Sequence, residues 1–269
     1  MNMKHLLWIL VLSFYSSGYI YSKGRVNNKK PINIIVATWN LGHFSGGKIP
    51  DTQIKGLDVY VKGKELCNIV NDSLNADIIC LNEYNVVFGE DIEGKKHFTK
   101  DIAFNKYSIM KEGPLMGYSN NAIFGNKKIK KIKIHLFKCT KPFVKNLSRA
   151  ANYYYLSGDL YIQGYKIKII CAHTISNHSR LCSSMIVEIL NEVAKYDKVI
   201  LCGDWNSTDY TIFKEAGYLL GNSGSIKTYP SKSYPFDNII VKGLKLSEVR
   251  TIKTDLSDHI PMVCKITID

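Results

Sequence analysis

The chain lacks any CxxC pair and any Cys/His spacing of the kind that holds zinc, which excludes the common structural zinc modules. Its seven cysteines are odd in number, and Cys80, Cys171 and Cys202 sit inside apolar runs, where a thiol behaves as a small buried hydrophobe. A disulfide framework is thereby excluded as the organising principle, although a single bridge stays open. No internal repeat recurs, which excludes solenoid and propeller architectures. The apolar run Leu6 to Tyr15 is too short to span a bilayer comfortably, and no cysteine follows it, which argues against a lipid-modified N-terminus. Acidic residues are also scarce: 23 Asp and Glu stand against 36 Lys and Arg, for a formal net charge of +13. Such a balance favours an anionic partner, whether nucleic acid, an acidic lipid surface or a phosphorylated small molecule.

What is present is enough for a sizeable core. With 269 residues of which 45% are hydrophobic, the chain fits one large domain. Residues 1–22, with Lys4 ahead of the apolar run and small residues after it, have the layout of a secretory signal peptide, so the chain is expected to be exported, either secreted or periplasmic. Residues 32–269 form the expected domain. Strands are predicted at Ile32–Trp39, Asp77–Leu81, Tyr107–Met110, Asn121–Phe124, Lys130–Phe137, Tyr153–Leu156, Asp159–Gln163, Lys166–Cys171, Lys198–Cys202, Asn238–Lys242 and Ile260–Thr267. Gly158 and Gly164 mark expected turns. Helices are predicted at Val59–Leu74, Ser183–Lys195 and Asp209–Ala216, and loops at Phe88–Asp101 and Gly221–Pro235. Many strands and few helices imply two packed sheets with helices outside. In Lys127–His135, Lys131, Lys133 and His135 alternate with Ile132 and Ile134, which reads either as a solvated outer strand or as a track for phosphates.

Polar, reactive residues fall just beyond the buried runs. Asn40 follows the first strand and Glu83 the second, and His173 ends Cys171-Ala172-His173. Asp204 and Asn206 stand in Gly203-Asp204-Trp205-Asn206, two apart and so expected on one side of a strand, while Asp237 precedes a further strand and Asp258-His259 another. Singly these read as well as a turn amide, a solvated glutamate or a satisfied structural histidine. Together they supply what phosphate-ester hydrolysis needs: carboxylates for a hard cation, an imidazole to handle protons, and neutral donors for nonbridging oxygens. Magnesium suits such an oxygen-rich set, whereas zinc would ask for more nitrogen or sulfur.

The order of these motifs resembles the endonuclease/exonuclease/phosphatase superfamily over nearly the whole chain after the leader. The resemblance runs through TWNLG (38–42), LNEY (81–84), YSNNAIF (118–124), SRA (148–150), CAHT (171–174), GDWNS (203–207), FDNIIV (236–241) and SDHIPM (257–262). It implies an α/β fold, a four-layered α/β/β/α sandwich of two packed mixed sheets with outer helices, whose loops converge at one end. It further implies that Glu83 holds Mg²⁺ or Mn²⁺ with Asn40 and Asp258 nearby, and that Asp204 and Asn206 position water or phosphate. His259, oriented by Asp237, would act at the scissile phosphate, His173 would serve as a donor or acid across from it, and Arg149 and Asn121 would contact substrate phosphate. The stretch Tyr118-Ser119-Asn120-Asn121 lacks the acid that some relatives pair with the equivalent of His173. No insertion of the kind that reads DNA grooves and no long apolar hairpin for membrane docking is recognisable.

The resulting expectation is an exported, metal-dependent phosphodiester hydrolase acting on nucleic acid. A sphingolipid or phospholipid phosphodiesterase, with membrane lipid as partner, or a small-molecule phosphatase is the alternative, and a catalytically inactive binding module is a third reading. No obligate protein partner is evident.

Overall fold

On strands Ile32–Asn40, Ile78–Asn82, Tyr165–His173 and Val199–Asp204 the inward face changes from apolar to polar at the last position. The computed structural model describes residues 30–42, 54–102, 104–112, 120–126, 129–140 and 154–269. The expected leader, residues 1–22, and Arg149 lie outside the described residues, as do Tyr118 and Ser119. In chain order the strands are β1 (Ile32–Asn40), β2 (Ile54–Lys55), β3 (Ile78–Asn82), β4 (Val87–Glu90), β5 (Lys96–Phe98), β6 (Ser108–Glu112), β7 (Ala122–Gly125) and β8 (Ile129–Leu136). They continue as β9 (Tyr154–Ile162), β10 (Tyr165–His173), β11 (Val199–Asp204), β12 (Leu219–Leu220), β13 (Asp237–Lys242), β14 (Lys245–Thr251) and β15 (Met262–Ile268). The helices are α1 (Asp58–Asn68), continued by a wider turn over Ile69–Ser73, α2 (Ser179–Val193) and α3 (Thr211–Glu215).

Among the described residues, one six-stranded sheet runs β14-β15-β1-β3-β7-β6 and a second runs β12-β13-β11-β10-β9-β8. Both are mixed: β1 pairs parallel with β3 and β10 parallel with β11, whereas β1–β15, β9–β10 and β11–β13 are antiparallel. The alternation of strand side chains then sorts three apolar clusters. Ile34, Val36, Ile78 and Cys80 of the first sheet meet Ile169, Cys171, Ile200, Cys202 and Ile239 of the second in the core between them. On the outer face of the first sheet, Trp39 and Leu81 pack on Val59, Leu66 and Val70 from α1 and its continuation. On that of the second, Ile170 and Leu201 pack on Met185, Ile186 and Ile189 of α2. The fold is the expected α/β sandwich of two mixed sheets.

Several local expectations need correction. Gly158 was expected at a turn, yet it lies within the continuous strand β9. A Cβ there would come within 2.5 Å of Ile129 Cγ2, so the glycine makes room for β8, where the pairing is interrupted by a bulge between Lys130 and Lys133. The stretch Phe88–Asp101, expected as loop, contains most of the β4–β5 hairpin, whose Asp91 carboxylate accepts the backbone N–H groups of Glu93 and Lys95. β12 and β14 were not anticipated; β14 is an edge strand with mostly exposed polar positions, so its sequence carries no buried run. All seven cysteines are free thiols. Among the described residues no helix is long and apolar enough to cross a membrane.

Candidate active site

Strand register brings the polar residues together. On their inward faces, Val36 and Thr38 lead to Asn40, Ile78 and Cys80 to Asn82, Ile169 and Cys171 to His173, and Ile200 and Cys202 to Asp204. In β13, which runs the other way, Ile239 is preceded by Asp237. Parallel pairing sets Asn40 beside Asn82 and His173 beside Asp204, and the antiparallel pair sets Asp204 opposite Asp237. Because β15 is antiparallel to β1, with Met262 opposite Thr38, the preceding loop Ser257–His259 arrives at this same end. Asn40, His173, Asp204, Asp237, Asp258 and His259 are all more than nine-tenths buried. Buried polar groups call for hydrogen bonds, and Asn40, Asp204, Asp237 and His259 make them with one another or with nearby backbone.

Asp204 is the centre of the arrangement. Its Oδ2 accepts from Asn40 Nδ2 at 2.9 Å and lies 3.6 Å from His173 Nε2 and 3.7 Å from His259 Nε2. Its Oδ1 accepts the backbone N–H of Asn206 at 2.9 Å. The expectation that Asp204 and Asn206 share one strand face does not hold, because β11 ends at Asp204 and Asn206 is left-handed with φ 44°. The Asn206 side chain instead donates Nδ2 to Thr174 O at 2.8 Å, tying the ends of β10 and β11 together. Glu83 is also left-handed, with φ 53°, directly after β3. Two of the non-glycine residues in that region thus stand within two residues of strands that end at the cleft.

Two glycines shape the site. Gly203 has φ +146°, and a Cβ on it would lie 1.8 Å from the carbonyl oxygen of Ala172, its partner in β10. Only glycine lets the two strand ends approach this closely. Gly42 has a different use. A methyl group placed there would sit 3.0 Å from Glu83 Oε2, 3.1 Å from Asn40 Oδ1 and 3.4 Å from Asp258 Oδ1. Two carboxylates and an amide oxygen thus surround one small space, a hard-oxygen donor set that fits Mg²⁺ or Mn²⁺. Asn40 Oδ1 is aimed by the Gly42 N–H at 2.8 Å, and Asp258 is anchored through Ser257, whose hydroxyl donates to Asn40 O at 2.8 Å.

Asp204, Asp237 and His259 form a second group whose candidate ligand atoms lie within 4.8 Å of one another. Here one contact is a hydrogen bond of 2.7 Å between His259 Nδ1 and Asp237 Oδ2. That bond occupies the two atoms with each other, so this group reads as an oriented imidazole and not as a cation cage. Burial alone would lower the His259 pKa, but the charges of Asp237 and Asp204, the hydrogen bond to Asp237 and the charge of Asp258 outweigh it and push it up to about 10. Burial likewise raises the Asp237 carboxyl against the pull of His259. The direction that follows for the pair is one retained proton, held on the imidazole by the surrounding carboxylates. Among the described residues, Asp237 Oδ1 and His173 Nδ1 are buried without a hydrogen-bond partner. Glu83 Oε1 lies 3.8 Å from His173 Nε2, so the acids near this histidine face Nε2, and among the described residues none meets Nδ1.

Asn121 is fully buried beneath the cleft. Its Oδ1 accepts from Asn82 Nδ2 at 2.8 Å and its own Nδ2 donates to Tyr154 O at 3.1 Å. Asn82, which sequence reasoning passed over, joins the two sheets: it donates to Ala172 O at 3.0 Å and accepts from Asp204 N at 2.9 Å. Its place in Leu81-Asn82-Glu83-Tyr84, inward by strand parity at the end of an apolar run, was the available signal. Three further supports went unread. Thr228 accepts the N–H of Asp237, Ser257 that of His259, and the Tyr229 ring lies 4.7 Å from the His259 ring. Tyr229 and Tyr234 pack in turn on Phe236, which makes one side of the site aromatic.

No family model matches the chain, and no curated protein matches it in sequence. Solved structures do. D. rerio TDP2 complexed with a single-strand DNA product is 18% identical with a TM-score of 0.62, the match covering 87% of this chain and 98% of that one. An endonuclease/exonuclease/phosphatase family protein from Leptotrichia buccalis is 18% identical with a TM-score of 0.58, over 87% and 99%. A protein described in the same words from Bacteroides thetaiotaomicron is 14% identical with a TM-score of 0.63, over 89% and 99%. At these identities the likeness speaks for the architecture, and the chain has the endonuclease/exonuclease/phosphatase fold.

Proposed function

We propose that this chain is a divalent-metal-dependent phosphodiester hydrolase whose substrate is nucleic acid. The observation that carries the reading is the convergence at one rim of an oxygen cradle, from Asn40, Glu83 and Asp258, and an aspartate-oriented imidazole, His259 with Asp237, on either side of Asp204. In this reading the cradle holds Mg²⁺ or Mn²⁺, which when bound supplies Lewis-acid stabilisation of phosphoryl oxygen charge. Asp204, held by Asn40 and the Asn206 N–H, orients the attacking water and accepts its proton. His259, fixed through Nδ1, presents Nε2 to a nonbridging oxygen as a charged donor, and His173 offers a hydrogen bond to the phosphate from the second sheet. Asn121 acts through Asn82 to position Asp204, and Arg149 is assigned a phosphate contact. The net charge of +13 and the DNA product in the D. rerio relative support a nucleic-acid substrate. Export is part of the proposal and rests on the Lys4 and Leu6–Tyr15 pattern; N-terminal sequencing of the cell-derived protein should begin near Ser22.

Supercoiled DNA, RNA, sphingomyelin vesicles and simple phosphomonoesters, each with Mg²⁺, make the deciding panel. The nucleic acids should be cleaved and the others left. Asp204→Ala and His259→Ala should each lower turnover by about 10² or more. Gly42→Ala should weaken the Mg²⁺ requirement's midpoint at least tenfold while leaving the thermal unfolding of the metal-free protein near wild type. Sphingomyelin turnover that exceeds nucleic-acid cleavage, or full activity in both side-chain variants, defeats the assignment.

A further inference from the structure

A second concave, strongly basic feature lies away from the strand ends. A recess of about 220 Å³ is lined by Lys131 and Lys133 of β8, Lys166 and Lys168 of β10, and Lys195 just beyond α2. On β10, Lys166 and Lys168 share the outward face with Ile170 and Ala172, whereas His173 points inward from the opposite end of the same strand. The recess is therefore separate from the candidate active site in both face and end.

Its charge is not internally balanced. Asp159 pairs with Lys166 at 3.2 Å and with Lys168 at 3.3 Å, and Glu192 lies 3.9 Å from Lys195. Among the described residues, Lys131 and Lys133 pair with no carboxylate, so five ammonium groups face two acids. The ammonium groups of Lys166, Lys168 and Lys195 lie 5.2, 5.3 and 5.5 Å from the centre of the one Tyr196 ring. One ring face attracts a cation, but three cations drawn to it repel one another. Lys168 is only 5% exposed, a burial that lysine tolerates when paired, and it shares its single carboxylate with Lys166. The bulge between Lys130 and Lys133, with Lys131 at φ 53°, sets the β8 lysines over this recess. His135 beside them is held flat on Tyr155 at 4.8 Å and bonded to Ser157 at 2.8 Å.

We propose that this recess is a second anion site that takes a multiply charged phosphoryl group, from a free oligophosphate or from the terminal phosphate of a nucleic-acid strand. Ammonium donors converging from three elements match the oxygens of a phosphate, and the volume exceeds that of a single phosphate, leaving room for a second phosphoryl unit or an attached sugar. A hollow with Lys168 at its base suits a discrete group better than the plane of a membrane. The site stands whether or not the strand-end cluster is hydrolytic.

The test is an amide chemical-shift titration of the full chain without divalent ions. Pyrophosphate, a 5′-phosphorylated oligonucleotide and the same oligonucleotide lacking that phosphate are added in parallel. Pyrophosphate should give saturating shifts at Lys131–His135, Tyr165–Lys168 and Lys195–Tyr196. The exposed double variant Lys131→Glu/Lys133→Glu should bind at least about tenfold more weakly with its remaining spectrum intact, and Lys168→Met should act likewise. A response to pyrophosphate alone supports the site with a free oligophosphate as ligand; a response that also requires the 5′ phosphate supports it with a strand terminus. The proposal is overturned if none of these amides saturates, if charge reversal leaves the affinity unchanged, or if the two oligonucleotides bind equally while pyrophosphate does not bind.

Discussion

At the scale of single residues, the chemistry of the site is set by how few positive groups stand among its acids. Glu83, Asp204, Asp237 and Asp258 surround two imidazoles, and Asn40 bridges the halves by donating to Asp204 while its own oxygen faces the cradle. In the metal-free protein His259 is the compensating cation. Its pKa is pushed from 6.5 up to about 10, so it should be doubly protonated at pH 8. A group whose folded pKa is raised contributes stability that is fully present below its unfolded value, here near 6.5, and that is lost as pH rises through about 10. Histidine-selective NMR titration should therefore find the His259 transition near 10 without metal. Mg²⁺ should lower it, because a cation held beside Asp258 repels the imidazolium. In Asp237→Asn the transition should fall well below the wild-type value, since the leading attractive charge is removed and the opposing effect of burial remains. A His259 transition near 6.5 in the metal-free wild type would contradict the charge balance described.

At the scale of elements, the site depends on strand ends that approach one another closely. The β10–β11 pair meets at Ala172 and Gly203, and here a Cβ would collide with backbone. Gly203→Ala puts alanine at a φ that L residues rarely adopt and forces the strands apart, and it should cost at least about 3 kcal/mol in urea unfolding. Gly158→Ala meets the methyl of Ile129, a side-chain atom able to move, and should cost clearly less. Equal destabilisation by the two would refute this distinction between backbone and side-chain contact. The same contrast explains what could be read in advance. β3, β11 and the C-terminal halves of β1 and β10 are mainly apolar and buried on both faces, so their ends, and the polar residues at those ends, stand out in the sequence. β14 and the β4–β5 hairpin are short or edge elements whose positions are fixed by partners remote in the chain, and no local pattern announces them. Asn206 was misplaced for a related reason: a strand rule was extended two residues past Asp204, where the backbone had already turned left-handed. The packing of one sheet on the other, which brings Asn82 to Asp204 across 122 positions, is not a local property.

At the scale of the whole molecule, the proposed nucleic-acid hydrolase would use its excess of lysine for recruitment, apart from the chemistry. The candidate site itself is rich in acids, and the described basic recess lies on another face, so the net charge of +13 acts on a polyanion mainly through surfaces outside the cleft. A long substrate then gains from contacts that a short one never makes. Each single-strand phosphate neutralised by lysine steepens the dependence of log affinity on log salt by about 0.7, so three such contacts cost on the order of tenfold in affinity between 50 and 200 mM salt. At fixed Mg²⁺, kcat/KM for an oligonucleotide should fall by about that factor or more over this range. For bis(p-nitrophenyl) phosphate, which carries a single charge and reaches only the strand-end cluster, kcat/KM should change less than about threefold. Parallel salt dependences for the two substrates would place the recruiting charge inside the cleft. A steep dependence for the oligonucleotide alone would locate it on the lysine-bearing exterior, where charge reversal at exposed positions can alter substrate capture while Asp204 and His259 keep their geometry.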